Sequence, residues 1–389
     1  MSRVRQQLRR SEADRRSESH NDSKAPASIP IIRTTLPPLQ HIVDMVSASW
    51  ADGRVTIGPK VAAFEQAICR QTGAQYAVAV SSCTAGLMLV PQALSLPRSG
   101  EVIVPAFTFA ATAQALVWNG LTPVFCDCLP GTMTLDPEDV RRNLSPKTVA
   151  ICPVYIYGLP PDIEELLEIG EQAEVPVYFD AAQGLGSTYR GKAAGGFGAC
   201  EVFSLSPTKV VTAIEGGVIT TNDAAIAARL RSMRDYGKDP DYGEEMVLLG
   251  LSARMSEIHA VVGLASTMQT SNLVAARLER IVQYRKRLGD LRGCRVQDFP
   301  PGRTSSGNYF VLFISSEARA GRDEVYTALK SAGIQTKRYF YPALHRHRIF
   351  QQFAHRVSSS VDDSLRCAEE ALALPLFSEM TEDQFDYVC

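Results

Sequence analysis

Three short segments of this chain carry side chains whose types and order suit a chemistry of amines, acids and phosphate. Ser81-Ser82-Cys83-Thr84-Ala85-Gly86 is a turn of small residues between the β-like run Tyr76–Val80 and a helical stretch. Backbone amides at a helix N-terminus, joined by the Ser82 and Thr84 hydroxyls, make a ready anion site. Asp180 ends the run Val-Pro-Val-Tyr-Phe and is followed by Ala181, Ala182 and Gln183. Ligands of open α/β sheets sit at the carboxyl ends of strands, so this carboxylate stands where a cofactor is met. The third segment is Phe203-Ser204-Leu205-Ser206-Pro207-Thr208-Lys209, with Glu215-Gly216-Gly217 shortly after: a strand, a hydroxyl-rich turn, a lysine and a glycine pair. Each segment alone also has a plain reading, as a helix cap, a turn aspartate and a surface lysine.

An amine, an acid for a pyridine nitrogen, and hydroxyl or amide donors for a phosphate are the parts of a pyridoxal-phosphate (PLP) site. The elements that must position them follow from residue 58 on. A helical stretch through Phe64 leads to strand Tyr76–Val80, a helix from Thr84, strand Glu101–Val104 and a helix after Phe109. Strands at Pro123–Asp127 and Val149–Val154, a helix from Asp162 and strand Val175–Asp180 continue the pattern. Short β-branched runs separated by helices call for a mainly parallel sheet covered on both faces, because parallel strands need crossover connections. After Gly217 comes a strand at Val218–Thr221, then Asp223 as a helix N-cap. A long helix is expected from about Met255 to Leu288, followed by an α+β segment with a strand at Tyr309–Ile314 and a helix near Asp323–Ala332. The expected division is a tail over 1–30, a large α/β domain over 31–270 and a smaller α+β domain over 271–389.

Composition narrows the class of partner. A chain of 389 residues that is 45% hydrophobic can bury a sizeable core, and a formal net charge of −2 supplies no basic face for nucleic acid. No apolar run reaches the length of a membrane helix and the N-terminus is polar and arginine-rich, so neither a membrane span nor a secretory signal is expected. A cytoplasmic location follows by default. The nine cysteines lack zinc-type paired spacing and read as reduced, mostly buried thiols. Residues 1 to about 30 mix Arg, Ser, Glu and Asp with almost no apolar periodicity, the composition of a disordered, solvated extension.

With the three segments in this order, the chain resembles the DegT/DnrJ/EryC1/StrS family of sugar aminotransferases, which are fold type I PLP enzymes. The likeness includes Gly58-Pro59 with Phe64-Glu65, Glu101-Val-Ile-Val-Pro105 with Thr108-Phe109, and Asp180-Ala-Ala-Gln183. Phe203-Ser204 with Lys209 five residues after the serine, Glu215-Gly-Gly217 and Arg254-Met-Ser-Glu257 complete it. The resemblance makes Lys209 the Schiff-base lysine and proton shuttle and Asp180 the partner of the pyridinium nitrogen. It implies Phe109 stacked on the cofactor ring, Gln183 beside the ring face and Ser204 as a phosphate ligand, next to the Ser82–Thr84 turn already read as an anion site, where the Cys83 side chain either crowds the phosphate or points away. It also implies a homodimer with shared active sites. Two positions depart from the family pattern: Cys83 stands where glycine is usual, and Ser252 where an asparagine reaches across the dimer to the partner's cofactor phosphate. Ser252 stays a candidate, since serine still donates a hydrogen bond over a shorter reach.

The run Lys337-Arg338-Tyr339-Phe340-Tyr341-Pro342, followed by His345, resembles a segment of members that aminate C4 of nucleotide-linked 4-keto-6-deoxy sugars. Tyr339 and His345 are therefore expected to meet substrate, and no metal is expected, because Arg346 and Arg348 beside His345 and His347 repel one. The implied function transfers an amino group from L-glutamate, or glutamine, to the keto carbon of a nucleotide-linked keto-deoxy sugar. Alternatives are an aminotransferase for a keto-cyclitol or other non-nucleotide ketone, and a non-catalytic regulatory protein of the same fold. The family's dehydratases carry histidine in place of the lysine, so Lys209 argues against that class.

Overall fold

The computed structural model describes residues 28–238, 242–243 and 245–389. Most of the expected tail, residues 1–27, lies outside the described residues. Ile29 is fully buried: its amide donates to the Gly333 carbonyl (3.0 Å) and its carbonyl accepts from Gln335 (2.9 Å).

The large sheet has the order Tyr76–Val80, Gly217–Thr221, Glu201–Ser204, Phe179–Asp180, then Thr148–Ile151, Glu101–Pro105, Thr122–Cys126 and Arg356–Val357. Parallel bridges Ile151–Val177 and Val154–Asp180 join its two halves. Successive side chains alternate between two apolar clusters: Ala77, Ala79, Ile103 and Val124 face one side, and Val78, Val80, Val102, Val104 and Phe125 the other. This period of two, buried on both faces, is what a helix-covered parallel sheet requires. Gly217–Thr221 is the exception in direction, running antiparallel to both its neighbours. Its amino end therefore lies at the sheet edge where the parallel strands have their carboxyl ends, so the loop between Ser204 and Gly217 stays at that edge.

Strand expectations hold within a few residues, but Val175–Asp180 narrows to Phe179–Asp180 with a single bridge at Val177. The helix expected from Met255 to Leu288 is two, Glu257–Thr267 and Thr270–Leu288, parted at Met268 and Gln269. The Gln269 backbone leaves the helical region (φ −105°, ψ 2°), a break with no Gly or Pro to announce it. A helix at Leu39–Ala51, ahead of the first expected element, was not anticipated.

A second, antiparallel sheet pairs Cys294–Val296, Phe310–Ile314 and Ala371–Leu374. Its core includes Tyr284, stacked on Phe310 at 4.5 Å and met edge-on by Phe385. Phe310–Ile314 carries Tyr309 at its start, and Ala373 exchanges backbone hydrogen bonds with Lys337, fixing the segment that leads to Tyr339 and Phe340. Among the described residues no helix is long and apolar enough to cross a membrane.

Candidate active site

A cavity of about 340 Å³ opens at the carboxyl edge of the large sheet, lined by all three chemistry-bearing segments. Ser82 is extended and caps the helix Cys83–Ala93, its Oγ accepting from the Ala85 amide at 3.1 Å. The helix N-terminus thus faces the cavity with Thr84 exposed beside it. Cys83 turns its thiol inward to the Val202 carbonyl (3.7 Å) and joins the core. Burial, then the Asp180 charge, hold that thiol well above the usual range, so it stays protonated. Three residues on, Gly86 lies so close to Val202 that a Cβ would fall 2.7 Å from its side chain. The helix is therefore seated directly on the strand that leads to Ser204.

Asp180 is 4% exposed and held from two sides. Oδ2 accepts from Thr112 Oγ1 at 2.7 Å and Oδ1 from the Ala182 amide at 3.1 Å. Burial pushes its carboxyl above the ordinary range; the Thr112 and Ala182 bonds and the Lys209 charge pull it back toward the anion. Lys209, half-buried across the cavity, responds in the opposite sense. Desolvation pulls its ammonium below the usual range, and Cys83 and Asp180 partly oppose that. A lysine displaced toward neutrality in a cavity with a buried carboxylate has the properties that a nucleophile or proton carrier needs. Its Nζ lies 6.0 Å from the centre of the Tyr309 ring.

The rest of the wall falls into place around this pair. Ser204, Ser206 and Thr208 form a ladder of hydroxyls at 3.4 and 3.3 Å. Phe109, at the cap position of the helix Ala110–Trp118, leaves 58% of its surface exposed on the cavity. Gln183 lines the cavity, and its buried Oε1 has no hydrogen-bond partner among the described residues. Tyr309, Tyr339 and Phe340 close one side as an aromatic rim.

Two expected residues are not brought here. His345 does not line the cavity: after Tyr339 and Phe340 the chain turns inward, Leu344 donating to the Ala106 carbonyl, and the His345 ring lies 6.3 Å from Phe125. Ser252 does not line it either; it is exposed and bridges Asp235. Conversely, Thr112 and Tyr309 belong to the site without having been singled out, and Ser206, Thr208 and Phe340 line it from segments whose other residues were the ones named. Thr112 is buried against Asp180 one turn into the helix that Phe109 caps, while the Phe109 ring stays exposed, so the two do not share a face that could have been read from spacing. Tyr309 comes from the second sheet, and no local signal marks it.

Residues 39–389 match the DegT/DnrJ/EryC1/StrS aminotransferase family. The chain belongs to this family. GDP-perosamine synthase of Caulobacter vibrioides is 31% identical over 352 residues, covering 90% of this chain and 92% of that one. DesI, solved in the presence of its TDP-sugar product, superposes with a TM-score of 0.85 at 32% identity over 93% of this chain and 91% of its own. The aminotransferase TlmJ from Streptoalloteichus hindustanus gives 0.84 at 26% identity, over 94% and 96%. The protein is thus a fold type I aminotransferase, and its cofactor is PLP. The residues present fit that group. The cavity offers one amine, one buried carboxylate and a hydroxyl ladder beside a helix N-terminus, with an exposed aromatic face and an unpartnered amide oxygen.

Proposed function

We propose that this aminotransferase moves an amino group from L-glutamate, or glutamine, to the keto carbon of a nucleotide-linked keto-deoxy sugar, a 4-keto-6-deoxyhexose. The observation that carries it is the convergence of Lys209 and Asp180 on one cavity whose rim, Tyr309, Tyr339 and Phe340, is aromatic and suits the apolar side of a deoxy sugar. The relatives that handle GDP- and TDP-linked sugars support the substrate class.

When bound, PLP supplies an electron sink for the amino acid's Cα–H bond. Lys209 is the amine that would hold the cofactor and would serve as the acid and base of the site. Asp180 keeps the ring nitrogen protonated, and Thr112 keeps Asp180 in place. Ser82, Thr84, Ser204 and the helix N-terminus would hold the phosphate, and Phe109 and Gln183 would meet the ring. Cys83 leaves the phosphate space free by pointing into the core, and Tyr339 meets substrate.

The same reading makes the enzyme a homodimer with shared sites. Leu39, Val43, Trp50, Ile57, Met246 and Leu249 are large apolar residues left exposed, and Ser252 is exposed as well and available to a partner. It places the domain change near residue 270 and the enzyme in the cytoplasm, where nine free cysteines suit a reducing medium.

Absorbance of the purified protein tests the proposal. A visible band near roughly 410–430 nm that shifts to shorter wavelength with L-glutamate and returns with a nucleotide-linked 4-keto-6-deoxy sugar is expected. Lys209→Ala should retain PLP yet lose turnover. A glutamate response that only a non-nucleotide ketone reverses would refute the acceptor class.

A further inference from the structure

Directly beneath the Asp180 turn lies a buried carboxylate that the reaction itself does not use. Glu201 begins the strand that ends at Ser204, and its carboxylate is completely inaccessible. It accepts from Tyr155 Oη at 2.6 Å, from the Phe197 amide at 2.9 Å and from the Gly195 amide, and among the described residues it makes no ion pair. A buried carboxylate without a counter-ion is expensive to keep, and well-packed apolar residues usually serve stability as well or better. Its placement explains its use.

Phe179–Asp180 is flanked by two strand segments, and the pair reaches from one to the other. On one side Glu201 stands opposite Phe179 in the parallel register. On the other, Tyr155 donates its amide to the Asp180 carbonyl at 3.0 Å, and Asp180 donates its own to Pro153 at 2.9 Å. The Tyr155 ring meets Phe179 edge-on at 6.0 Å and packs against Gly184, where a Cβ would lie only 2.7 Å from it. Tyr155 therefore touches the Asp180–Gly184 turn at both ends, and the Glu201 carboxylate holds Tyr155.

We infer that Tyr155 and Glu201 are a positioning pair for the reaction: a phenol–carboxylate strut under the strand that fixes Asp180 and Gln183 relative to Lys209. The inference rests on the proposed role of Asp180. Neither residue touches the reacting atoms, and the strut acts only through the turn it supports. Tyr155→Phe removes one oxygen and frees the ring to shift. Glu201→Gln keeps the link in reverse, because its amide can donate to the phenol oxygen.

The test combines exchange in cofactor-free protein with kinetics of the PLP-loaded enzyme. In Tyr155→Phe, hydrogen exchange at the amides of Ala182 and Gly184 should quicken about tenfold. PLP should bind more weakly, and kcat should fall about tenfold while the KM for L-glutamate stays near its original value, as small misplacements of reacting groups do. Glu201→Gln should retain most of both. Wild-type exchange and wild-type kcat in Tyr155→Phe would overturn the strut, as would Glu201→Gln failing like Tyr155→Phe. Asp180→Asn, measured alongside, separates the two readings. Normal turnover there removes the role of Asp180 itself, whereas impaired turnover there with an unaffected Tyr155→Phe removes only the strut.

Discussion

Thr112→Val is the substitution that probes the electrostatics of the site most cleanly. It keeps the shape of the side chain but removes the hydroxyl that donates to Asp180 Oδ2 at 2.7 Å. Among the described residues Asp180 has two donors, Thr112 and the Ala182 amide, and burial already pushes its carboxyl upward. A hydrogen bond to a buried charged group contributes about 1.5–3 kcal/mol. At about 1.4 kcal/mol per tenfold, its loss favours the neutral acid by roughly ten- to a hundredfold. The sign follows: the carboxyl takes up its proton at higher pH, so the acid limb of the glutamate half-reaction moves toward neutrality by about one to two pH units. Stopped-flow absorbance of PLP-loaded enzyme with L-glutamate, run across pH, reads this directly. Thr112→Ser restores the donor and should restore the profile. Superimposable profiles for wild type and Thr112→Val would refute the claim that Thr112 holds Asp180 in its anionic form.

Two further outcomes concern stability. Glu257 is buried at the N-terminus of the helix Pro59–Thr72 and accepts from the Gly58, Lys60 and Val61 amides and from Ser49 Oγ, all within 3.0 Å; Glu257→Gln leaves donors facing donors there and should lower unfolding free energy in urea by about 2–4 kcal/mol, with a loss under about 1 kcal/mol counting against it. Glu201 is pushed up to about 7 from 4.5, chiefly by burial, so the folded chain binds its proton more tightly than the unfolded chain. Its contribution is full below pH about 4.5 and is lost as pH rises through 7, a decline of about 3 kcal/mol that Glu201→Gln should abolish when the two urea titrations are compared across pH.

The fold class was legible because its signal is local and repeated: β-branched runs such as Glu101–Val104, alternating with helical stretches, can only build a covered parallel sheet. The meeting place of the candidate residues was legible for the same reason. Lys209, Asp180 and the Ser82–Thr84 turn each sit at a strand end, and strand ends of such a sheet meet at one edge. What lay out of reach was anything set by packing at a distance. The antiparallel course of Gly217–Thr221 depends on its neighbours in the sheet, and the break at Gln269 on how two helices dock. Tyr309 reaches the cavity only because the second sheet folds against the first. His345 was expected at the site from the resemblance of its segment; it follows Tyr339 closely in sequence, but the intervening chain dives into the core at Leu344 and leaves it off the cavity wall. Composition, order and residue type thus determined which groups are present and at which edge they lie. Tertiary structure decided which of them touch, because distance across a fold is fixed by the packing of elements far apart in the chain.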